Sequence, residues 1–142
     1  MSSGDVMQTA IVKWIGKQKF AASSPSGHIV ALDSDRESNT APGPMEMVLI
    51  ALGACTATDI VIILEKKRQN LQSLEVVCSG ERAIDAPTVW VELEVLFRVR
   101  GQVDEGALKH AIELSKEKYC PVAAMLKKTA KISWRHEILP SS

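Results

Sequence analysis

The chain has 142 residues with 17 Lys+Arg against 17 Asp+Glu and no net charge at pH 7, so no bulk field draws it to nucleic acid or to an anionic membrane surface. That length buries roughly two thirds of the unfolded surface, enough for a real core, and residues 1–142 are read as a single domain. Three cysteines, an odd count in a chain this long, do not make a secreted disulfide scaffold and point to a reducing cytoplasm.

The N-terminal stretch MSSGDVMQTAIVKWIGKQKF has no long apolar run behind a basic start, so no secretory signal is expected. Within it and after it, MQTAIVKWI and KFAASS flank Gly16, and HIVALDS follows the turn signal Pro25-Ser26-Gly27. Three short antiparallel strands are expected there. The stretch from Ser34 to Gly43 is polar and irregular. Gly43 and Pro44 then open a helix that is apolar from Met47 to Leu64 and closes on Glu65, Lys66, Lys67 and Arg68. It is slightly short of the roughly 20 apolar residues a bilayer asks for and holds Asp59, so it reads as a soluble helix, not a membrane span. Apolar almost all round, it has to be covered on most sides by a sheet or a partner subunit.

LEVVCSGER and TVWVELEVLFRVR follow, joined by Ala83 to Pro87. The second alternates with period two, placing Val89, Val91, Leu93, Val95, Phe97 and Val99 on one face. Asp104 caps a helix in which Leu108, Ala111, Ile112, Ser115 and Tyr119 keep three-and-four spacing. A short helix opens at Pro121, and AKISWRHEIL closes the chain as a strand. The order is βββ-α-ββ-αα-β. Grouped strands and helices of this kind predict an α+β domain with mostly antiparallel sheet around a long buried central helix.

The stretch EKYCPVAAMLKK sets Cys120 directly before Pro121. Proline suits the first position of a helix because its missing N–H would have been unpaired, so Cys120 falls at the N-cap, where free N–H groups and the helix dipole favour thiolate. The alternative is a buried structural cysteine. Cys78 shares a strand face with Leu74 and Val76 and reads as a small core residue. Cys55 lies midway along the apolar helix among the small residues Gly53, Ala54 and Ala57. A thiol shielded there needs a cation or several hydrogen-bond donors nearby to ionise. Arg36, in the preceding loop, is the first candidate, with Arg82 and His28 behind it, and Asp59 one turn later would oppose ionisation if close and charged. No Cys-x-x-Cys or Cys/His cluster occurs, so neither a metal nor a cofactor is expected. Trp14, Trp90 and Trp134 read as core or interface packing.

Two stretches together, PMEMVLIALGACTA on the long helix and KYCPVAAMLKK on the short one, resemble the OsmC/Ohr family of hydroperoxide-reducing proteins and look most similar to its YhfA-like branch. The likeness covers nearly the whole chain. It implies a two-cysteine thiol peroxidase for organic hydroperoxides, active in oxidative-stress defence and built as an intertwined homodimer with its active sites at the subunit interface. Cys55 matches the peroxidatic cysteine, which would become a sulfenic acid, and Cys120 the resolving cysteine, which would form a disulfide with it. A lipoyl-type dithiol would restore the pair. The N-cap thiolate would make Cys120 a ready attacker and a good leaving group.

One departure from the family pattern concerns activation. In hydroperoxide-resistance members a glutamate just after the helix-opening proline holds an arginine against the thiolate; here Met45 stands there and Glu46 follows. One residue turns the side chain by about 100°, so position alone does not make Glu46 its equivalent, and it lies about 14 Å along the helix axis from Cys55. Arg36 falls in the loop where the arginine is expected. Two other readings use the same residues: a thiol-disulfide or sulfur-transfer protein acting on another small electrophile, and a non-catalytic dimer that binds a small apolar molecule.

Overall fold

The computed structural model describes residues 7–141; the first six residues, part of the stretch read as carrying no secretory signal, lie outside them. Contacts divide the chain into two units that meet in sequence between Val48 and Leu49. Three strands build the first: β1 (Ile11–Trp14), β2 (Lys19–Ser23) and β3 (Ile29–Asp33). They pair in chain order and antiparallel, as Ile11↔Ser23 and Lys19↔Asp33 show. Gly16, at φ 113°, allows the first turn a backbone conformation that side chains disfavour. Trp14 is 66% exposed, so within this unit it is not a core residue; its indole N–H donates to Lys17 O at 2.7 Å.

The polar stretch after β3 is ordered around Asp33, which is fully buried. Its carboxylate accepts the Thr40 hydroxyl at 2.6 Å, the Ser38 hydroxyl at 2.8 Å, the Thr40 N–H at 3.0 Å and the Asp35 N–H at 2.9 Å. Those donors, the Thr40 hydroxyl first, hold the Asp33 carboxyl well below the usual carboxylate range. A charge taken out of water is tolerable here because both carboxylate oxygens find donors, three at Oδ2 and one at Oδ1.

The helix α1 (Pro44–Lys66) begins in the first unit and continues into the second. There Leu52, Thr56, Ile60 and Leu64, each four residues after the last, form its fully buried stripe. Thr56 can join an apolar stripe because its hydroxyl donates back to Leu52 O at 2.9 Å. Ile50, Val61 and Ile62 are 53%, 42% and 46% exposed. The coverage on most sides expected for this helix is therefore only partly supplied within the chain. By length and composition alone it could cross a membrane, with 28% of its apolar window buried.

In the second unit β4 (Asn70–Arg82), β5 (Trp90–Gln102) and β6 (Lys131–Leu139) form a sheet in that order. The alternation of β5 is borne out at its centre: Leu93, Val95, Phe97 and Val99 are buried, and Phe97 stacks on Trp134 with ring centroids 6.2 Å apart. β4 begins four residues earlier than the pattern suggested, because Asn70 and Leu71 pair with Gln102 and Gly101 across a bulge before Ser73. Gly101 is needed at that bulge, since its φ is 135° and a Cβ would come within 2.3 Å of Asn70 O. β6 lies parallel to β5 while the three other pairings are antiparallel. The helical return between them permits this, because parallel neighbours need a crossover and not a hairpin.

That return is α2 (Glu105–Leu114), a π-helical turn (Ser115–Tyr119) and α3 (Pro121–Leu126). Asp104 caps α2 as expected, its carboxylate accepting the Ala107 N–H at 3.0 Å. Leu108, Ala111, Ile112 and Ser115 are buried, but Tyr119, the last residue of the three-and-four pattern, is 49% exposed. The π turn holds more residues per turn than an α-helix, which carries Tyr119 off the buried stripe.

Candidate functional site

Cys120 follows the π turn and caps α3, with Pro121 at the first helical position. Its own N–H donates to Ser115 O at 2.9 Å, closing the π turn. Its sulfur accepts the Ala123 N–H at 3.3 Å, so the N-cap geometry is as expected. The thiolate expectation is not. Cys120 is only 3% exposed, and burial first, then a hydrogen bond to the Cys55 sulfur, push its thiol up to about 12 against the opposing pull of the Ala123 and Val122 N–H groups. A helix of six residues supplies too few aligned peptides to offset that desolvation. Cys120 is therefore a thiol at neutral pH and a poor leaving group, contrary to the role inferred from its capping position.

Cys55 is thus a near neighbour of Cys120, although the two are separated by α2 and two long strands in sequence. Cys55 is half-buried against the core, and both thiols are free. At Gly53 the space is taken by Cys78, whose Sγ would stand 3.3 Å from an added Cβ. Cys78 packs with Leu74 and Val76 against the core, and burial raises its pKa, which fits a structural thiol.

Asp59, one helical turn after Cys55, meets the other side of the same junction. Ser115 is fully buried and its hydroxyl donates to Asp59 Oδ2 at 2.8 Å. The sequence placed Ser115 on the buried stripe of α2 without assigning it a partner; a hydroxyl in an apolar stripe demands one, and that demand was the available signal.

Arg36 and Glu46 are brought together in the first unit. Arg36 Nη1 donates to Glu46 Oε1 at 2.8 Å and to Asn39 Oδ1 at 3.2 Å, and Nη2 to Ala41 O at 3.1 Å and to Asp33 O. Glu46 also accepts the Gly43 N–H at 2.8 Å. This is the reciprocal half of a capping box, a third-position glutamate reaching back to the N-cap amide. The one-residue offset from the family position has thus not cost this chain an acid–arginine pair. Asp33, which organises the loop that presents Arg36, was not singled out in the sequence; the alternation of Asp, Ser and Thr at 33, 35, 38 and 40 was its signal.

Arg82 has other partners: its Nε and Nη2 donate to Thr88 O and Oγ1, both at 2.7 Å, and its guanidinium lies 5.8 Å from the centroid of the Trp90 ring. His28 is exposed, on the β3 side of the first unit. Among the described residues no group of three or more His, Cys, Asp or Glu gathers as a metal site would require.

A half-exposed helix carrying one thiol, a buried N-cap thiol beside it and two antiparallel-rich sheets define an α+β protein with a neighbouring pair of free thiols. The model of the OsmC-like protein family matches residues 37–135, and the chain belongs to that family. It is 40% identical over 131 residues to Protein YhfA of Escherichia coli K12, covering 92% of this chain and 97% of that protein. A crystal structure of a hypothetical protein from Aquifex aeolicus is similar with a TM-score of 0.87 at 27% identity, over 96% of this chain and 99% of that one. An organic hydroperoxide resistance protein from Elizabethkingia anophelis shares the fold, with a TM-score of 0.68 at 13% identity over 94% of this chain and 99% of that one.

Proposed function

We propose that the chain is a thiol-dependent peroxidase that reduces organic hydroperoxides through Cys55 and Cys120. The observation that carries this reading is that Cys55 and Cys120, far apart in sequence, are neighbouring free thiols, the first side chain close enough to raise the pKa of the second. Family relatives described as organic hydroperoxide resistance proteins support it. Cys55, as thiolate, attacks the distal peroxide oxygen; the O–O bond breaks, the alkoxide takes a proton and leaves as alcohol, and Cys55 becomes a sulfenic acid. The Cys120 sulfur then attacks the Cys55 sulfur, and the hydroxide expelled takes the Cys120 proton to leave as water. Two thiols supply the two electrons that one hydroperoxide consumes. A raised Cys120 pKa is compatible with this step, because the leaving hydroxide accepts the proton. A dithiol of the lipoyl type then attacks the disulfide and displaces one protein sulfur as a thiol; its second thiol displaces the other, so that the protein dithiol is restored and the reductant becomes a cyclic disulfide.

In this reading the exposed apolar residues Ile50, Val61 and Ile62 of α1 are covered by a second copy of the chain in a homodimer, not by lipid, and the three reduced thiols suit the cytoplasm. Sedimentation or light scattering that finds a folded monomer at micromolar concentration overturns the dimer.

The activity is tested by mixing reduced protein with about one equivalent of cumene hydroperoxide, counting thiols and mapping any disulfide by mass. Rapid loss of two thiols with a Cys55–Cys120 bridge is the expected result. Loss at the rate of an ordinary free thiol, or without that bridge, overturns the reading.

A further inference from the structure

Asp59 and Ser115 play no part in the electron transfer just described, yet they join the two elements that carry the thiols. Asp59 stands four residues after Cys55 on α1, on the same helical face. Its Oδ2 accepts the Ser115 hydroxyl at 2.8 Å. Ser115 begins the π turn, and its carbonyl accepts the Cys120 N–H at 2.9 Å. A single residue therefore links the carboxylate of one helix to the backbone of the cysteine facing it. The link is part-buried, with Ser115 itself fully inaccessible, so that its hydroxyl depends on this acceptor and would be costly to leave unpaired. π turns are rare and are kept where tertiary contacts hold them. Among the described residues Ser115–Tyr119 is the one such turn, directly before Cys120.

We propose that Asp59 is a positioning residue for disulfide closure: through Ser115 it pins the π turn to α1, so that the Cys120 sulfur stays against Cys55. The role deepens the two-thiol reading and rests on it for its biological use, but it concerns the geometry of the pair and not the oxidant. Two thiols held as neighbours have a high effective concentration, which is measured as the equilibrium between the protein dithiol and its disulfide in a glutathione buffer. In that exchange two protein thiols become one disulfide while oxidised glutathione is reduced to two molecules of glutathione. No peroxide is involved.

The experiment compares this equilibrium constant in the full chain and in the Ser115→Ala, Asp59→Ala and Asp59→Asn variants, with near-UV circular dichroism as the check on folding. Ser115→Ala and Asp59→Ala are expected to lower the effective concentration of the Cys55–Cys120 pair tenfold or more. Asp59→Asn, whose amide oxygen can still accept the hydroxyl, is expected to stay within about threefold of the unaltered chain. A merely structural role would lower stability without this pattern of rescue. Should Asp59→Ala fail to fold, Ser115→Ala decides, because it removes the donor from a site that alanine fills without strain. Constants within twofold of the unaltered chain in the two alanine variants overturn the proposal, as does an Asp59→Asn variant as impaired as Asp59→Ala. An unaltered chain that forms no Cys55–Cys120 bridge in the glutathione buffer overturns it too. A chain that ignores cumene hydroperoxide but closes the bridge in glutathione overturns the peroxidase reading alone, and the variants still decide the role of Asp59.

Discussion

Arg36 is held by four acceptors in a half-exposed loop of the first unit, whereas Cys120 is held in the second by burial, two N–H groups and one neighbouring sulfur. The first corner is polar and redundant. Its ion pair with Glu46, about half exposed on both sides, is worth little as an ion pair, since exposed pairs contribute roughly 0–1 kcal/mol; what fixes Arg36 is the loop folded around buried Asp33. The second corner is apolar and has no redundancy. The protonation of Cys120 there depends on desolvation, and its position on the turn that Ser115 opens. One site is designed by donors and acceptors in excess, the other by excluding water, and they should break differently.

The largest effect is expected at the thiols. Cys55→Ser should abolish hydroperoxide turnover, while Cys120→Ser should consume one equivalent and stop at a sulfenic acid, trapped as a dimedone adduct and read by mass. Near-normal turnover in both variants would remove the pair from the chemistry. No polar neighbour can compensate for either sulfur.

At the Arg36 corner, the residue to remove is the one that orders the loop. Asp33→Ala deprives the Thr40 and Ser38 hydroxyls and two backbone N–H groups of their acceptor, so amide exchange through the Ser34 to Gly43 segment should accelerate well beyond that of β2 and β3. The pH dependence has a definite sign. A carboxyl whose folded pKa lies below its unfolded value, as Asp33 does from 3.8, contributes stability that is fully present above about pH 4–5 and is lost as pH falls towards the folded value. The unaltered chain should therefore lose loop protection on acidification across that window, and the variant should show no such loss from this residue. Protection that is unchanged in Asp33→Ala would contradict the loop's dependence on it.

A smaller effect is expected from Arg36→Ala. If the guanidinium activates Cys55, the pH profile of Cys55 alkylation should move upward by about one unit, a tenfold slower reaction near neutrality. Glu46→Gln should move it less, because the amide can still accept from Arg36 and from the Gly43 N–H. A profile that coincides with that of the unaltered chain would confine Arg36 to ordering its loop.

The contrast between the two corners also governs what a sequence can reveal. The order βββ-α-ββ-αα-β, the start of α1 at Gly43-Pro44, the Asp104 cap and the buried face of β5 all rest on local rules of capping and period, and all are found. Cys120 at its N-cap was legible for the same reason. Its protonation was not, because desolvation and the nearness of Cys55 are properties of packing that no local pattern carries. The Arg36–Glu46 pair lay hidden behind a one-residue offset whose consequence depends on how the Asp33 loop turns. The parallel placement of β6 and the π turn likewise depend on the crossover as a whole; the turn shows in sequence only as a tyrosine that continues a periodicity it does not obey.

The smallest effect under ordinary conditions is an alkaline one, and it reads the raised pKa of Cys120 apart from the redox chemistry of the thiol corner. Its folded pKa is raised from about 9 to about 12, so both folded and unfolded chains hold the proton below pH 8 and the thiol adds nothing to any pH dependence there. Above pH 9 the unfolded chain ionises this group while the folded chain does not; stability is therefore present in full below about 9 and declines as pH rises towards 12. Cys120→Ser removes the titrating group and should flatten that part of the decline, seen as a narrowing gap between the two denaturation midpoints from pH 8 to pH 10.5. Cys78→Ser is the comparison, because its thiol is raised by burial alone and removing it should flatten a separate part of the decline. If the Cys120→Ser curve instead falls in parallel with that of the unaltered chain, the Cys120 thiol is not shielded as its packing requires, and the N-cap amides would have prevailed over burial after all.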